Sequence, residues 1–221
     1  MTEGPVKAQR AYDNTRRAAQ ARRTRRDVLD ATYRLLLDQG YAGTTVTAIA
    51  RAAGVSVETI YKAFGTKAAL VKEVYDVTLV GDDEPVPLTG RPEFQALMAE
   101  RDPRRKLAHY AHIGRVIIER LGPLYSVLLA GARSGEEELR HLVATTDAER
   151  LAGTGALTRH LADAGSLRPG LSVERAHDIL WTLTSVDVYR LLVTERGWPL
   201  DDYERWLAIT MQDAILGPLP A

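Results

Sequence analysis

The chain has 221 residues, 29 Lys+Arg balanced by 29 Asp+Glu, and no cysteine; the length allows one large or two small domains with real cores. Disulfides, thiolate metal sites and cysteine nucleophiles are excluded together, which fits a reducing compartment. No apolar run approaches the roughly 18 residues needed to cross a bilayer, and the Arg-rich N-terminus lacks an apolar signal core, so the sequence reads as cytoplasmic, with no membrane partner.

The neutral total hides an asymmetry. Residues 1–72 carry 13 Lys+Arg and 6 Asp+Glu, and the remainder carries 16 and 23. A basic first third is what a phosphate-facing domain needs, and an acidic remainder stays off DNA. Residues 1–19, with Lys7, Arg10, Arg16 and Arg17 among small and polar residues, read as a flexible basic arm that tracks phosphates, enters the minor groove, or is a tail with no role. A first helix is expected over about Thr24 to Gln39, apolar along Val28, Leu29, Ala31, Tyr33, Leu35 and Leu36 and ended by Gly40. Arg22, Arg23, Arg25 and Arg26 lead into it; cations there oppose the helix dipole, so another purpose outweighs helix stability.

The stretch TTVTAIARAAGVSVETIYKAFGTKAAL, Thr44 to Leu70, reads as two short helices and the start of a third. Ile49, Ala50 and Ala53 give the first helix, Val46 to Ala53, an apolar face. Gly54 supplies the left-handed turn. Ser56 caps Val57 to Phe64, because its hydroxyl accepts from an otherwise orphaned amide. Ile60 and Phe64 are four apart and face inward, leaving Val57, Glu58, Thr59, Tyr61 and Lys62 on the outer and flanking faces. Gly65 ends the helix, and Thr66 caps the next. This is a helix-turn-helix, whose second helix enters the major groove. The bland alternative is a helical hairpin within a bundle.

At these residues the sequence resembles the TetR family of bacterial transcriptional repressors. The resemblance is carried by Gly40-Tyr41, Thr44-Thr45-Val46, Ile49-Ala50, Ala53-Gly54-Val55-Ser56, Thr59-Ile60-Tyr61, Phe64, Lys67 and Leu70, and it covers roughly Thr24 to Tyr75. Gly65-Thr66 departs from the Pro or Asn followed by Ser of many members, but Thr caps nearly as well. The resemblance implies a two-domain, all-helical homodimer that releases operator DNA when a small molecule binds its second domain. It also implies phosphate contacts at Tyr61 and Lys67. Tyr61 has the alternative of a half-buried packing residue with its hydroxyl in water. One of Thr44 and Thr45 caps the first motif helix, and the other hydroxyl, with the helix-end amides, is placed for a phosphate. Val57, Glu58, Thr59 and Lys62 are positioned for base edges, although Glu58 and Lys62 also have the spacing of a helix-surface ion pair. The expected DNA-binding set is Thr44, Thr45, Ser56, Val57, Thr59, Tyr61, Lys62 and Lys67.

Downstream, a helix from about Lys67 to Val80 connects the expected DNA-binding domain, residues 20–75, to an effector-binding and dimerisation domain, residues 76–221. Gly81 to Pro92, acidic and rich in Pro and Gly, reads as a linker. Further helices are expected over Glu93–Glu100, Arg104–Leu121, Leu124–Ala132, Glu136–Ala164, Val173–Glu195 and Leu200–Leu216, with Gly122-Pro123 as a break and Gly153 and Gly155 marking a kink or close packing. Tyr110, Ile113, Ile117, Tyr125, Leu128, Trp181 and Tyr189 supply the apolar and aromatic walls expected of a small-molecule pocket; core packing is the alternative for each. Ile179, Leu183, Val186, Trp206 and Ile209 lie on stripes of the last two helices, which the resemblance makes a homodimer interface. His109 and His112 are three apart, but nothing in the sequence places a third metal ligand beside them, and no nucleophile elbow or phosphate-cradling Gly loop is present. No catalytic residue, metal or cofactor is expected. The rival class is a helical enzyme or binding bundle carrying a helix-turn-helix.

Overall fold

The structure is a computed structural model that describes the backbone of residues 5–216 and the side chains of residues 16–216. Among the described residues every regular element is helical, in agreement with the all-α reading. The chain divides into two compact units, Met1–Val77 with Leu124–Arg140, and Thr78–Pro123 with His141–Ala221. The first unit therefore recruits a second, later segment in addition to the N-terminal stretch.

In the first unit, α1 spans Pro5–Gly43, with non-helical backbone at Gly40 (φ 68°, ψ −179°). It starts far upstream of Thr24, because residues 6–39 contain no Gly or Pro and are rich in Ala, Arg and Gln, all good helix formers. Residues 1–4 of the expected arm, and the side chains of Lys7 and Arg10, lie outside the described residues; from Pro5 on the arm's backbone is helical. The short helices α2 (Val46–Ala53) and α3 (Val57–Phe64) fall where their caps place them, and α4 runs Lys67–Val80. Val28, Leu29 and Leu36 of α1, Ile49 and Ala50 of α2, Ile60 and Phe64 of α3, and Leu70, Val71 and Val74 of α4 are all buried. Burying each large aliphatic or aromatic side chain of this set contributes about 1.5–3 kcal/mol, which is what holds helices of only eight residues that would not form alone.

The expected linker is folded onto itself. Arg91 donates to both Asp82 oxygens at 2.7 Å and to the Val86 carbonyl at 3.1 Å, and a 3₁₀ turn spans Leu88–Gly90. After α5 (Pro92–Ala99), helix α6 is continuous from Pro103 to Arg133. Gly122-Pro123 does not break it, contrary to the sequence expectation. Pro123 withholds an N–H from the Glu119 carbonyl, a cost of about 3 kcal/mol in a helix interior. The apolar positions on either side, Ile118, Leu121, Leu124, Tyr125 and Leu128, stay in one helical register and are all buried, which outweighs that cost.

In the second unit, α7 (Glu137–Asp163) from His141 onward, α8 (Val173–Leu183), α9 (Val186–Tyr189) and α10 (Leu200–Ile215) surround a core of Leu107, Leu157, Leu161, Leu180, Tyr203, Leu207 and Met211. The helix expected over Val173–Glu195 is interrupted. The Thr184 hydroxyl donates to the Leu180 carbonyl at 2.8 Å, the Ser185 hydroxyl accepts from the Val188 amide at 3.3 Å, and a wide π turn follows over Arg190–Glu195. Such side-chain bonds to neighbouring backbone compete with a straight helix. Gly155 permits a close approach: a Cβ there would lie 3.1 Å from the His177 ring. His177 Nε2 sits 2.9 Å from both the Thr154 hydroxyl and the Leu151 carbonyl. Gly153 has no neighbour that a Cβ would meet.

Candidate nucleic-acid interface

The geometry of α2 and α3 is set by side-chain caps. The Thr45 hydroxyl accepts from the Ala48 amide at 3.1 Å and the Ser56 hydroxyl from the Thr59 amide at 3.0 Å; each cap contributes about 0.5–2 kcal/mol. Gly54 lies in the left-handed region (φ 67°, ψ 31°), and the Val55 amide closes back on the Ala50 carbonyl at 3.0 Å. The turn therefore fixes the angle at which α3 leaves α2. Ile60 and Phe64 anchor α3 inward, while Glu58, Thr59 and Lys62 are exposed and Tyr61 is 51% exposed. Val57 is half-buried. The open face of α3 thus carries Glu58, Thr59, Tyr61 and Lys62, with no ion pair between Glu58 and Lys62 among the described residues. The pair expected from spacing does not form; such a surface pair gains only about 0.2–0.5 kcal/mol.

Not all of the expected contact set is equally open. Thr45, not Thr44, caps α2. Thr44 is fully buried and its hydroxyl donates to the Gly40 carbonyl at 2.7 Å, so the free phosphate-binding hydroxyl expected of this pair is absent from Thr44. The Ser56 hydroxyl, besides capping, sits 2.8 Å from that of Thr59, which fixes the Thr59 rotamer. Lys67 is half-buried: its ammonium donates to the Tyr41 carbonyl at 2.6 Å and lies 3.7 Å from the centre of the Tyr41 ring. Burial pushes the Lys67 pKa down, with Glu136 and Glu138 acting against that shift. Tyr41 is itself buried, donates to the Glu138 carboxylate, and its pKa is pushed strongly up by burial and then by that bond.

Two cations near this face went unmarked in the sequence reading or changed role. Arg51, exposed in the last turn of α2, carries no motif signal and is recognisable only once α2 is placed. Arg25 is engaged: its guanidinium pairs with Glu73 and lies 5.2 Å from the centre of the Phe64 ring. It joins α1 to α3 and α4 within the first unit.

Of the expected pocket residues, Tyr110, Ile113, Ile117, Trp181 and Tyr189 are half-buried in the second unit. Tyr125 and Leu128 belong to the first unit and are buried there, the ring of Tyr125 lying 6.4 Å from that of Tyr75; they are core positions of that unit. The Trp181 indole nitrogen is buried without a hydrogen-bond partner. Arg150, which no sequence pattern singles out, stacks 4.4 Å from the Trp181 ring and donates to the Trp181 carbonyl at 2.6 Å. Burial pushes the Tyr110 hydroxyl up to about 12, opposed by nearby Arg150 and a bond with Thr184. A separate cavity of about 370 Å³ is lined by Met98, Glu100, Lys106, His160, Leu161 and Ser166, among others, and by none of the expected pocket residues. Buried Lys106 caps α5 there, donating to the Leu97 and Met98 carbonyls.

On the proposed interface helices, Ile179, Leu183, Val186 and Trp206 are half-buried and Ile209 is 50% exposed. Leu191, on the π turn, is 46% exposed. His112 faces both Glu204 oxygens at 3.1 Å, beside Arg115, and His109 is exposed. Among the described residues no three His, Asp or Glu side chains gather as a metal site, and no helix is long and apolar enough to cross a membrane.

The model of the family described as bacterial regulatory proteins, tetR family, matches residues 28–74. An HTH-type transcriptional regulator, YdeS of Bacillus subtilis (strain 168), itself uncharacterized, is 31% identical over 173 residues, which is 77% of this chain and 79% of that protein. Among solved structures, NalD, the secondary repressor of the MexAB-OprM multidrug efflux pump in Pseudomonas aeruginosa, superposes with a TM-score of 0.68 at 22% identity, over 89% of this chain and 98% of NalD. FadR from Bacillus subtilis in complex with stearoyl-CoA gives 0.66 at 18% identity, over 87% and 98%. At these identities the two structures speak for the fold.

Proposed function

The chain belongs to the TetR family of bacterial regulatory proteins and is a DNA-binding transcriptional regulator, and from that premise we propose that it is a homodimeric repressor released from its operator by a small, mostly apolar ligand. The observation that carries the DNA-binding half is the open face of α3: Glu58, Thr59, Tyr61 and Lys62 exposed while Ile60 and Phe64 are buried. A helix of this size fits a major groove about 12 Å wide. Thr59 and Lys62 are assigned to base edges with Val57 at their flank, Tyr61 and Thr45 to phosphates, and Ser56 to holding Thr59. Lys67 is assigned to a phosphate that it reaches by leaving the Tyr41 carbonyl. A recognition helix this short gains specificity by reading two half-sites, which is the reason for a twofold dimer. The half-buried and exposed apolar residues Ile179, Leu183, Val186, Trp206 and Ile209 support an interface on α8, α9 and α10. The protein acts in the cytoplasm and no reaction is assigned to it.

For the effector, we place the site beside Tyr110, Ile113, Ile117, Trp181 and Tyr189. An unpartnered buried N–H costs about 1–3 kcal/mol, and the Trp181 indole nitrogen is buried without a partner. A ligand with one hydrogen-bond acceptor on an apolar body removes that cost. Release follows from population shift: the effector must favour the DNA-incompetent arrangement, and a coupling of about 1–3 kcal/mol changes operator affinity roughly 5- to 150-fold. A gel shift on the promoter region beside the chain's own gene, with salt varied, tests the regulator reading. Specific, salt-sensitive retardation is expected; no retardation at low salt contradicts it and favours a helical bundle of another function.

A further inference from the structure

Lys67 is the first residue of α4, and its ammonium is held by its own chain. It donates to the Tyr41 carbonyl at 2.6 Å, with the Tyr41 ring beneath it at 3.7 Å. Tyr41 is held in turn from the other side: its hydroxyl donates to Glu138, in the first turn of α7. The approach is built in. A Cβ at Gly131 would meet Leu139 Cδ1 at 2.3 Å and Tyr41 Cβ at 3.7 Å, so α6 lies close to both, and a larger residue there would displace the Leu139 side chain. Glu136, at the turn before α7, acts electrostatically with Glu138 on both Tyr41 and Lys67. Neither carboxylate forms an ion pair among the described residues. All of these groups lie in the first unit.

We propose that Glu136 and Glu138, acting through Tyr41, are positioning residues for Lys67: they compete with DNA phosphate for its ammonium and so set how strongly the first unit holds a duplex. A phosphate must draw Lys67 off a short charge-assisted bond, out of a ring-face contact and away from two carboxylates. The same carboxylates repel the incoming backbone. The segment Leu124–Arg140 joins the N-terminal helices, and this network gives that segment a direct effect on DNA affinity. The inference rests on the reading of Lys67 as a phosphate contact.

The full-length protein is tested by fluorescence anisotropy on a short, mixed-sequence labelled duplex, because phosphate contacts are sequence-independent. Glu138→Gln keeps an acceptor for Tyr41 and removes only the charge, so the combined Glu136→Gln/Glu138→Gln chain retains the packing; far-UV circular dichroism checks that it does. The expected result is binding tightened roughly 3- to 10-fold at fixed salt, with less than about twofold remaining when Lys67→Ala is also present, the signature of direct coupling. An equal gain with and without Lys67 means that the carboxylates act through net charge alone and overturns the proposal while leaving the phosphate contact standing. Lys67→Ala alone is expected to lower the salt slope by up to about 0.9 per protomer. An unchanged slope removes the contact and the proposal together.

Discussion

Lys62 stands on the open face of α3, exposed and without a carboxylate partner among the described residues, so none of them competes for its ammonium. Its replacement by Ala is expected to alter base preference at one position per half-site, because a good side-chain pair to a base edge discriminates by about 1–3 kcal/mol. A selection of bound sequences reads this directly, and an unaltered profile assigns Lys62 to the solvated surface. A second expectation concerns the tyrosines. Burial pushes Tyr110 and Tyr203 up to about 12 from an ordinary value near 10. The folded chain therefore holds these protons more tightly than the unfolded one. The stability they contribute is fully present below pH 10 and falls as pH rises from about 10 to 12. Absorbance of phenolate against pH should show a late phase that vanishes in denaturant; a single early phase contradicts the burial. At this scale the Ser56 cap was legible and the α2 cap was narrowed to Thr44 or Thr45, because Thr45 and Ser56 act on amides three residues along. Lys67 was not. Its partner is 26 residues away, and the carboxylate that holds that partner is 97 residues beyond Tyr41, so no local pattern announces either.

Helices α2 and α3 were read from the sequence to the residue, since Gly54, Gly65 and two hydroxyl caps punctuate them locally. The same reasoning failed at Gly122-Pro123 and over Val173–Glu195. In α6 the local cost of proline loses to burial of apolar side chains along one face. In α8 and α9 the local bonds of Thr184 and Ser185 win over an unbroken apolar period. The outcome depends on how much each segment buries, which a single sequence does not reveal. Two measurements follow. Ile60→Ala removes the 2%-exposed anchor of α3 and should lower stability by about 2–5 kcal/mol, with DNA binding lost at temperatures where the rest of the chain remains helical. Pro123→Ala restores an N–H to the Glu119 carbonyl at an exposed helical position, and should raise stability by about 1–2 kcal/mol after the loosened unfolded chain is allowed for. A destabilised variant contradicts the account of α6. Both are read by denaturant unfolding.

For the whole molecule, the all-helical plan was legible from helical periods and the motif, and the expectation of a second domain came from the resemblance that the motif carries, whereas the recruitment of Leu124–Arg140 to the first unit was not legible, because it depends on where one long helix changes unit. Dimerisation is tested best by a point charge, since Leu207 and Met211 of α10 are core residues and deleting that helix would unfold its unit. Ile209→Glu places a charge at a half-exposed apolar position. It should give monomers by sedimentation and weaken operator binding, while a stable dimer moves the interface elsewhere. The account as a whole turns on α3 as the surface that meets DNA. The measurement that reaches it most directly compares the native chain with a Thr59→Ala/Tyr61→Ala/Lys62→Ala chain on the promoter duplex beside its own gene, with helicity checked in both. All three positions are exposed, so the fold should survive and specific affinity should fall by at least about 100-fold, as loss of several base and phosphate contacts requires. Equal affinity of the two chains would contradict the assignment of α3 as the recognition helix.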